Sequence, residues 1–140
     1  MTTAIDTNVF VALWDKDNSL NTLAESALKN SWNSGSLVVS APVFAELMAF
    51  PGRSESFLNS FFSEAGILVE WNLDEEVWRT AGRAFRAYSA RRGGQRERGV
   101  RRILADFLIG AHAFQFEYQL LTLDDRLYRA AFPRLSIVSA

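Results

Sequence analysis

MTTAIDTNVFVALWD, residues 1–15, decides how the rest of the chain is read. Small and β-branched residues, Thr2 to Ile5, lead into Asp6, and an apolar run from Val9 to Trp14 follows. "TAI" reads as a strand. "TNVFVALWD" reads as a short helix, with Val9 and Leu13, and Val11 and Trp14, at helical spacings. Asp6 therefore sits at the end of the first buried element. A buried, unpaired carboxylate is expensive, so it must be protonated, paired or bound to a cation.

Outward from this stretch, strand-like and helix-like runs alternate. The second helix is expected in "DNSLNTLAESALKNSW", capped by Asn18 or Ser19. "SGSLVVS" gives a turn and an apolar strand, and "APVFAELMAF" a helix with Pro42 in its first turn. A helix capped by Ser54 and closed by Gly66 follows, carrying a Phe57, Leu58, Phe61, Phe62 stripe expected to be core. Then come the strand "ILVEW" and a longer helix capped by Asp74. The polar loop "RRGGQRERG" leads to the apolar helix "RILADFLIGAHAFQFE", the strand "YQLLTL", the helix "DRLYRAAF" and the strand "RLSIVS". Strands without polar alternation, interleaved with helices, imply an α/β fold whose parallel sheet is covered on both faces. Ligands of such sheets gather beyond the carboxyl ends of the strands, where Asp6 and Asp124 fall.

Bulk composition narrows the chemistry. The 140 residues, 49% hydrophobic, suit one domain, residues 1–140, with an ample core. No Cys is present and His112 is the only His, which excludes thiol nucleophiles, zinc-thiolate sites and His-cluster metal sites. His112 itself is expected to be a packing residue. No apolar run is long enough to span a membrane, and no basic stretch precedes an apolar one at the N-terminus, so a cytoplasmic protein is expected.

Four acids lie on buried-looking elements: Asp6, Glu46, Asp106 and Asp124. Singly, Asp6, Asp106 and Asp124 read as helix caps, and Glu46 as an outward-facing helical residue. Together they would repel one another unless a cation lay between them. Oxygen ligands without His or Cys select Mg²⁺ or Mn²⁺. The stretch "DTN" lacks the second acid of an Asp-x-Asp phosphatase, no Lys occurs beyond Lys29, and no phosphate-cradling Gly-rich loop exists.

The four segments "IDTNVFVAL", "APVFAELMAF", "LADFLIGAHA" and "LLTLDDRLYRAAFP", in this order and spacing, resemble the PIN domain, and within it the VapC-type toxins of prokaryotic toxin–antitoxin pairs. The resemblance runs from Ala4 to Val138. It implies a PIN-like three-layer sandwich with four or five parallel strands, and a Mg²⁺-dependent endoribonuclease. Asp6, Glu46, Asp106 and Asp124 would be catalytic, with Asp6, Asp106 and Asp124 on the metal (Mg²⁺, or Mn²⁺) and Asn8 and Thr122 in support. Asp125 adjoins Asp124, but the Thr-x-Asp pattern favours Asp124. The resemblance also implies a VapB-type antitoxin as partner and a homodimer.

Charge is segregated. Residues 79–102 hold nine Arg and one Glu, whereas the remainder holds six basic and fifteen acidic residues. Arg79, Arg83 and Arg86 share one helix face, with Trp78, Ala81, Phe85 and Tyr88 expected opposite. Arg91, Arg92, Arg96 and Arg98 in the following loop are the expected RNA-backbone contacts, with Arg126 and Arg129 adding to the collar. Two other functions fit the same sequence: an inactive PIN-like module that binds RNA or protein, and a metal-dependent phosphatase or DNA nuclease.

Overall fold

The computed structural model describes residues 1–92 and 104–139. Five strands, β1 (Thr2–Ile5), β2 (Ser36–Ser40), β3 (Ile67–Glu70), β4 (Gln119–Thr122) and β5 (Ile137–Ser139), form one parallel sheet in the order β3-β2-β1-β4-β5. Ala4 pairs with Val38 on one side and Leu120 on the other, which places β1 at the centre. Seven helices flank the sheet among the described residues: α1 (Thr7–Leu13), α2 (Asn21–Ser34), α3 (Ala41–Met48), α4 (Glu55–Ala65), α5 (Glu75–Arg92), α6 (Leu104–Gln115) and α7 (Arg126–Ala131). From β1 the chain winds towards β2 and β3, and from β4 it winds the other way to β5. The carboxyl ends of β1 and β4 thus border the point where the winding reverses, the usual crevice of such sheets.

Local chemistry sets most boundaries where the sequence places them. Ser54 Oγ accepts from Phe57 N at 3.0 Å, and Gly66 ends α4 in the left-handed region at φ 70°, which glycine adopts without steric cost. Asp74 Oδ1 accepts from Val77 N at 3.0 Å at the start of α5. The second helix differs from expectation. Asn18 Oδ1 accepts from Leu20 N at 2.8 Å, closing a turn before the helix, so α2 begins only at Asn21 and has no side-chain cap. On α5 the buried residues are Val77, Thr80 and Ala81, and Trp78 is 54% exposed. The Trp lies one position off the apolar stripe that Val77, Ala81 and the half-buried Phe85 and Tyr88 define.

The core contains Ile5, Phe10, Val39, Leu47, Leu58, Phe107, Ile109, Leu120 and Leu121, all essentially inaccessible. α6 is buried on every side from Phe107 to Ala113, as its sequence suggests. Gly110 permits this: a Cβ there would lie 2.5 Å from the Phe132 ring. Of the α4 stripe, Leu58 and Phe62 are buried, and Phe57 and Phe61 stack edge-on against Trp14 at the surface of the core.

Candidate active site

The first strand delivers its carboxylate to a position that cannot be relaxed away. Asp6 N donates to Leu121 O at 2.9 Å, continuing the β1–β4 ladder, and Asp6 then serves as N-cap of α1. Its side chain is 4% exposed. Oδ1 accepts from Thr7 N at 2.7 Å and Oδ2 from Thr122 Oγ1 at 2.9 Å. The Thr122 hydroxyl has one proton, which goes to Asp6, and its lone pairs accept from Asn8 Nδ2 and Asp124 N. Asn8 Oδ1 in turn accepts from Leu123 N at 3.2 Å. Asn8 and Thr122 therefore lace the first turn of α1 to the end of β4 and fix Asp6.

The other three acids line the same cavity, about 330 Å³, together with Asp6, Asn8 and Tyr128. Glu46 reaches it from α3 and accepts a hydrogen bond from Thr7 Oγ1. Asp106 stands in the first turn of α6 rather than capping it, where the helix N-terminus favours negative charge. Asp124 is half-exposed and gripped by Arg126, with Nε to Oδ1 at 2.9 Å and Nη2 to Oδ2 at 2.8 Å. Asp125 stands at the N-cap position of α7 and pairs with Arg129 at 2.6 Å.

Tyr128 was not legible as a site residue. It lies one turn beyond Asp124, so the i, i+4 spacing was the available signal. Its ring is buried (2% exposed), its hydroxyl donates to Asp106 Oδ1 at 3.4 Å, and the charge of Asp6 acts on the same hydroxyl.

These neighbours push the carboxyls apart in acidity. Burial raises Asp6 to about 6 against the hydrogen bonds it accepts, with the Glu46 charge adding to the rise. Burial again, then the charges of Asp6 and Glu46, raise Asp106 to about 7. Burial, with the charges of Asp6 and Asp106, holds the Tyr128 hydroxyl protonated well above its ordinary range. Asp124 is lowered, chiefly by its hydrogen bonds from Arg126.

A hard divalent cation suits this donor set. Every carboxylate donor is oxygen, and the Asp6 charge is close enough to raise the Asp106 pKa, with no cationic side chain beside the two among the described residues. As they stand, though, no three acidic or imidazole side chains among the described residues are grouped around one point as they are about a bound ion. Asp124 is the acid committed elsewhere.

The basic segment is partly compensated within its own helix. Arg79 pairs with Glu75 at 2.6 Å and Arg83 with Glu76 at 3.6 Å. Arg91 donates to Ala130 O at 3.2 Å and lies over the Tyr88 ring. The side chain of Arg92, and Arg96 and Arg98 altogether, lie outside the described residues. His112 is fully buried, bonded through Nε2 to Glu70 Oε1 at 2.7 Å, and does not touch the cavity. Among the described residues no helix is long and apolar enough to cross a membrane.

A family model described as "PIN domain" matches residues 3–133. Among solved structures, a chain of the VapBC2 complex from Rickettsia felis, bound to a promoter DNA fragment, superposes with a TM-score of 0.69 at 20% identity, covering 100% of this chain and 99% of that one. A chain of VapBC-1 from nontypeable Haemophilus influenzae gives 0.70 at 17%, covering 99% and 98%. A toxin–antitoxin complex from Klebsiella pneumoniae gives 0.64 at 16%, covering 98% and 96%. At these identities the likeness is one of fold. Compared with curated protein sequences, the chain has no significant match.

Proposed function

The chain belongs to the PIN domain family, and from that membership we propose that it is a Mg²⁺- or Mn²⁺-dependent endoribonuclease, the VapC-type toxin of a toxin–antitoxin pair. The observation that carries this reading is the placement of Asp6 and Asp106, two acids with raised pKa, in one cavity with Glu46 and Asp124 at the carboxyl end of the sheet. The fold could have covered such a cavity with apolar side chains at lower cost.

Asp6, Asp106 and Asp124 would hold the cation. Bound there, it would acidify a water molecule and offset charge on the phosphate oxygens. The chain's own groups do the rest. Thr122 and Asn8 keep the Asp6 carboxylate fixed. Glu46, held by Thr7, accepts the proton of the attacking water as its oxygen bonds to phosphorus. The bond from phosphorus to the departing sugar oxygen breaks, and that oxygen takes a proton from solvent. No histidine base is required, and His112 is too deeply buried to serve as one.

Surface chemistry supports the antitoxin partner that the family likeness implies. An apolar groove of about 280 Å³ between α2 and α4 is lined by Leu13, Leu28, Trp32 and Phe61, with Trp32 60% exposed. An antitoxin's apolar helix would lie in it, while an Arg from the same partner reaches the acids and excludes the cation. The working form would be a cytoplasmic homodimer, and residues 1–140 would act as one PIN domain. A second reading, an inactive PIN-like module that binds RNA or protein, draws on the capture of Asp124 by Arg126. Incubating single-stranded RNA, DNA and a small phosphodiester with the purified chain and Mg²⁺ or Mn²⁺ separates the readings. RNA alone should be cut, and neither Asp6→Asn nor wild type in excess chelator should cut it. Equal RNA integrity with wild type and Asp6→Asn would leave the binding module.

A further inference from the structure

The far end of α6 presents a surface that the acid cavity does not explain. Phe114, one residue beyond the buried run of that helix, is 36% exposed, and Phe116 is 40% exposed. Phe116 stacks on Tyr118 with ring centroids 5.7 Å apart and an interplanar angle of 21°. Three aromatic residues thus occur within five positions at one corner of the molecule. Two cavities open there, of about 420 and 310 Å³, and Phe114 and Arg134 line both. Arg83 lines the larger one from α5. Its own partners are weak or neutral: Thr80 Oγ1 at 3.3 Å and Glu76 at 3.6 Å. Arg134 has no acidic partner within salt-bridge distance among the described residues. Gln115 closes one wall, its Nε2 donating to Thr80 Oγ1 at 2.6 Å. Among the described residues Glu117 is the one acid of the lining, on the smaller cavity.

We propose that this double cleft is a second RNA-binding site, taking a nucleotide of a single strand with its base stacked on Phe114 and its phosphate between Arg83 and Arg134. A flat aromatic face accepts any base, and guanidinium groups match the geometry of phosphate oxygens. Glu76 offsets Arg83 in part, so Arg134, with no acidic partner among the described residues, supplies most of the charge that favours an anionic occupant. An acidic peptide would supply charge but no planar group for the aromatic faces. Asp106 and Phe114 lie eight residues apart on one helix, about 12 Å along its axis at 1.5 Å per residue. The cleft is therefore a separate foothold, able to hold a strand whose neighbouring segment lies over the acids. Only the identity of the strand rests on the ribonuclease reading, since binding needs no cleavage.

The test uses the full chain carrying Asp6→Asn and a labelled single-stranded RNA, with affinity read by fluorescence anisotropy at several salt concentrations. Adding Phe114→Leu or Arg134→Gln should each weaken binding about three- to tenfold, a single stacking or phosphate contact's share. Arg134→Gln should also lower the salt slope by about one, as the loss of a single phosphate contact does. Arg134 is exposed, so its substitution leaves the fold in place and keeps the test decisive if Phe114→Leu unfolds the chain. Unchanged affinity and slope in Arg134→Gln overturn the proposal. So does displacement of the RNA by poly-glutamate at lower concentrations than unlabelled single-stranded RNA requires, which would mark an acidic protein partner. Loss of a dimer in Phe114→Leu, read by sedimentation, overturns it as well, because the cleft would then be an interface between copies. Weakened binding by these variants in a chain whose wild type cuts no RNA would sink the ribonuclease reading and leave the cleft standing.

Discussion

One helix, α6, carries a polar cluster near each end, and the two are opposite in kind. Towards the C-terminal end, Glu70, His112 and Tyr118 form a network centred on the Glu70 carboxylate, with the buried His112 Nδ1 left without a hydrogen-bond partner. Glu70 Oε1 lies 2.7 Å from His112 Nε2, and Oε2 accepts from Tyr118 at 2.9 Å, so each carboxylate oxygen has a donor. Burial holds His112 neutral, its pKa pushed down. At the N-terminal end, Asp6, Glu46 and Asp106 share a cavity with hydrogen bonds but, among the described residues, no cationic side chain beside Asp6 or Asp106, and both rise in pKa. The same helix thus meets one carboxylate with donors and leaves others in mutual repulsion. The cluster whose carboxylate is satisfied is structure. The frustrated one is a place that stability alone would not retain, which is why it is the better candidate for chemistry.

Substitutions at the two clusters should therefore diverge. Asp106→Asn should reduce RNA cleavage about a thousandfold or more, because losing one ligand of a catalytic cation forfeits several kcal/mol and each 1.36 kcal/mol is tenfold. Single-turnover cleavage at saturating Mg²⁺ measures this, and wild-type activity in the variant would show that the acids are not catalytic. His112→Ala should destabilise the chain by roughly 2–4 kcal/mol in urea unfolding, through a cavity and a donor lost to Glu70. Asp6→Asn should do the reverse and stabilise the metal-free chain at neutral pH, by roughly 1–3 kcal/mol. Equal signs at the two clusters would erase the distinction between them.

The pH dependence has a definite sign. Asp6 and Asp106 titrate near 6 and 7 in the folded chain but near 3.8 when unfolded. Their protonated forms favour folding, so this contribution is full below about pH 4 and is lost as pH rises through 6 to 7. Metal-free melting temperature should accordingly fall across that window in wild type and fall less in Asp6→Asn, as differential scanning fluorimetry will show. The smallest effect is expected at the rim. Arg126→Gln removes an exposed competitor for Asp124 and should tighten Mn²⁺ binding a few-fold, an effect that shrinks in high salt. Weaker Mn²⁺ binding in that variant would mean that Arg126 helps build the site.

Local signals in the sequence were sufficient for the sheet, the α4 and α5 caps and the buried character of α6, because each is written within a few residues. The four acids were legible for a different reason. A carboxylate among apolar residues is conspicuous wherever it occurs, and parallel-sheet topology then gathers strand ends at one place. Contacts across long separations were not legible. Nothing near Glu70 announces His112, 42 residues on, and the hydroxyl of Tyr128 reads as one more aromatic until the turn of α7 aims it at Asp6 and Asp106. Trp78 misled because its size suggests burial, whereas the stripe through Val77 and Ala81 leaves it outside. The capture of Asp124 by Arg126 depends on a side-chain conformation at an exposed position, which no residue pattern encodes.

The central claim is that the repulsion between these acids is relieved by a divalent cation. Calorimetric titration of the purified chain with Mn²⁺ at pH 7.5 and pH 5.5, in buffers of different ionisation enthalpy, tests it most directly. Asp6 and Asp106 are largely ionised at the higher pH and largely protonated at the lower. Binding should be clear at pH 7.5 with proton release, much weaker at pH 5.5, and abolished in Asp6→Asn. Binding of equal strength at both pH values, or undiminished in Asp6→Asn, would contradict it.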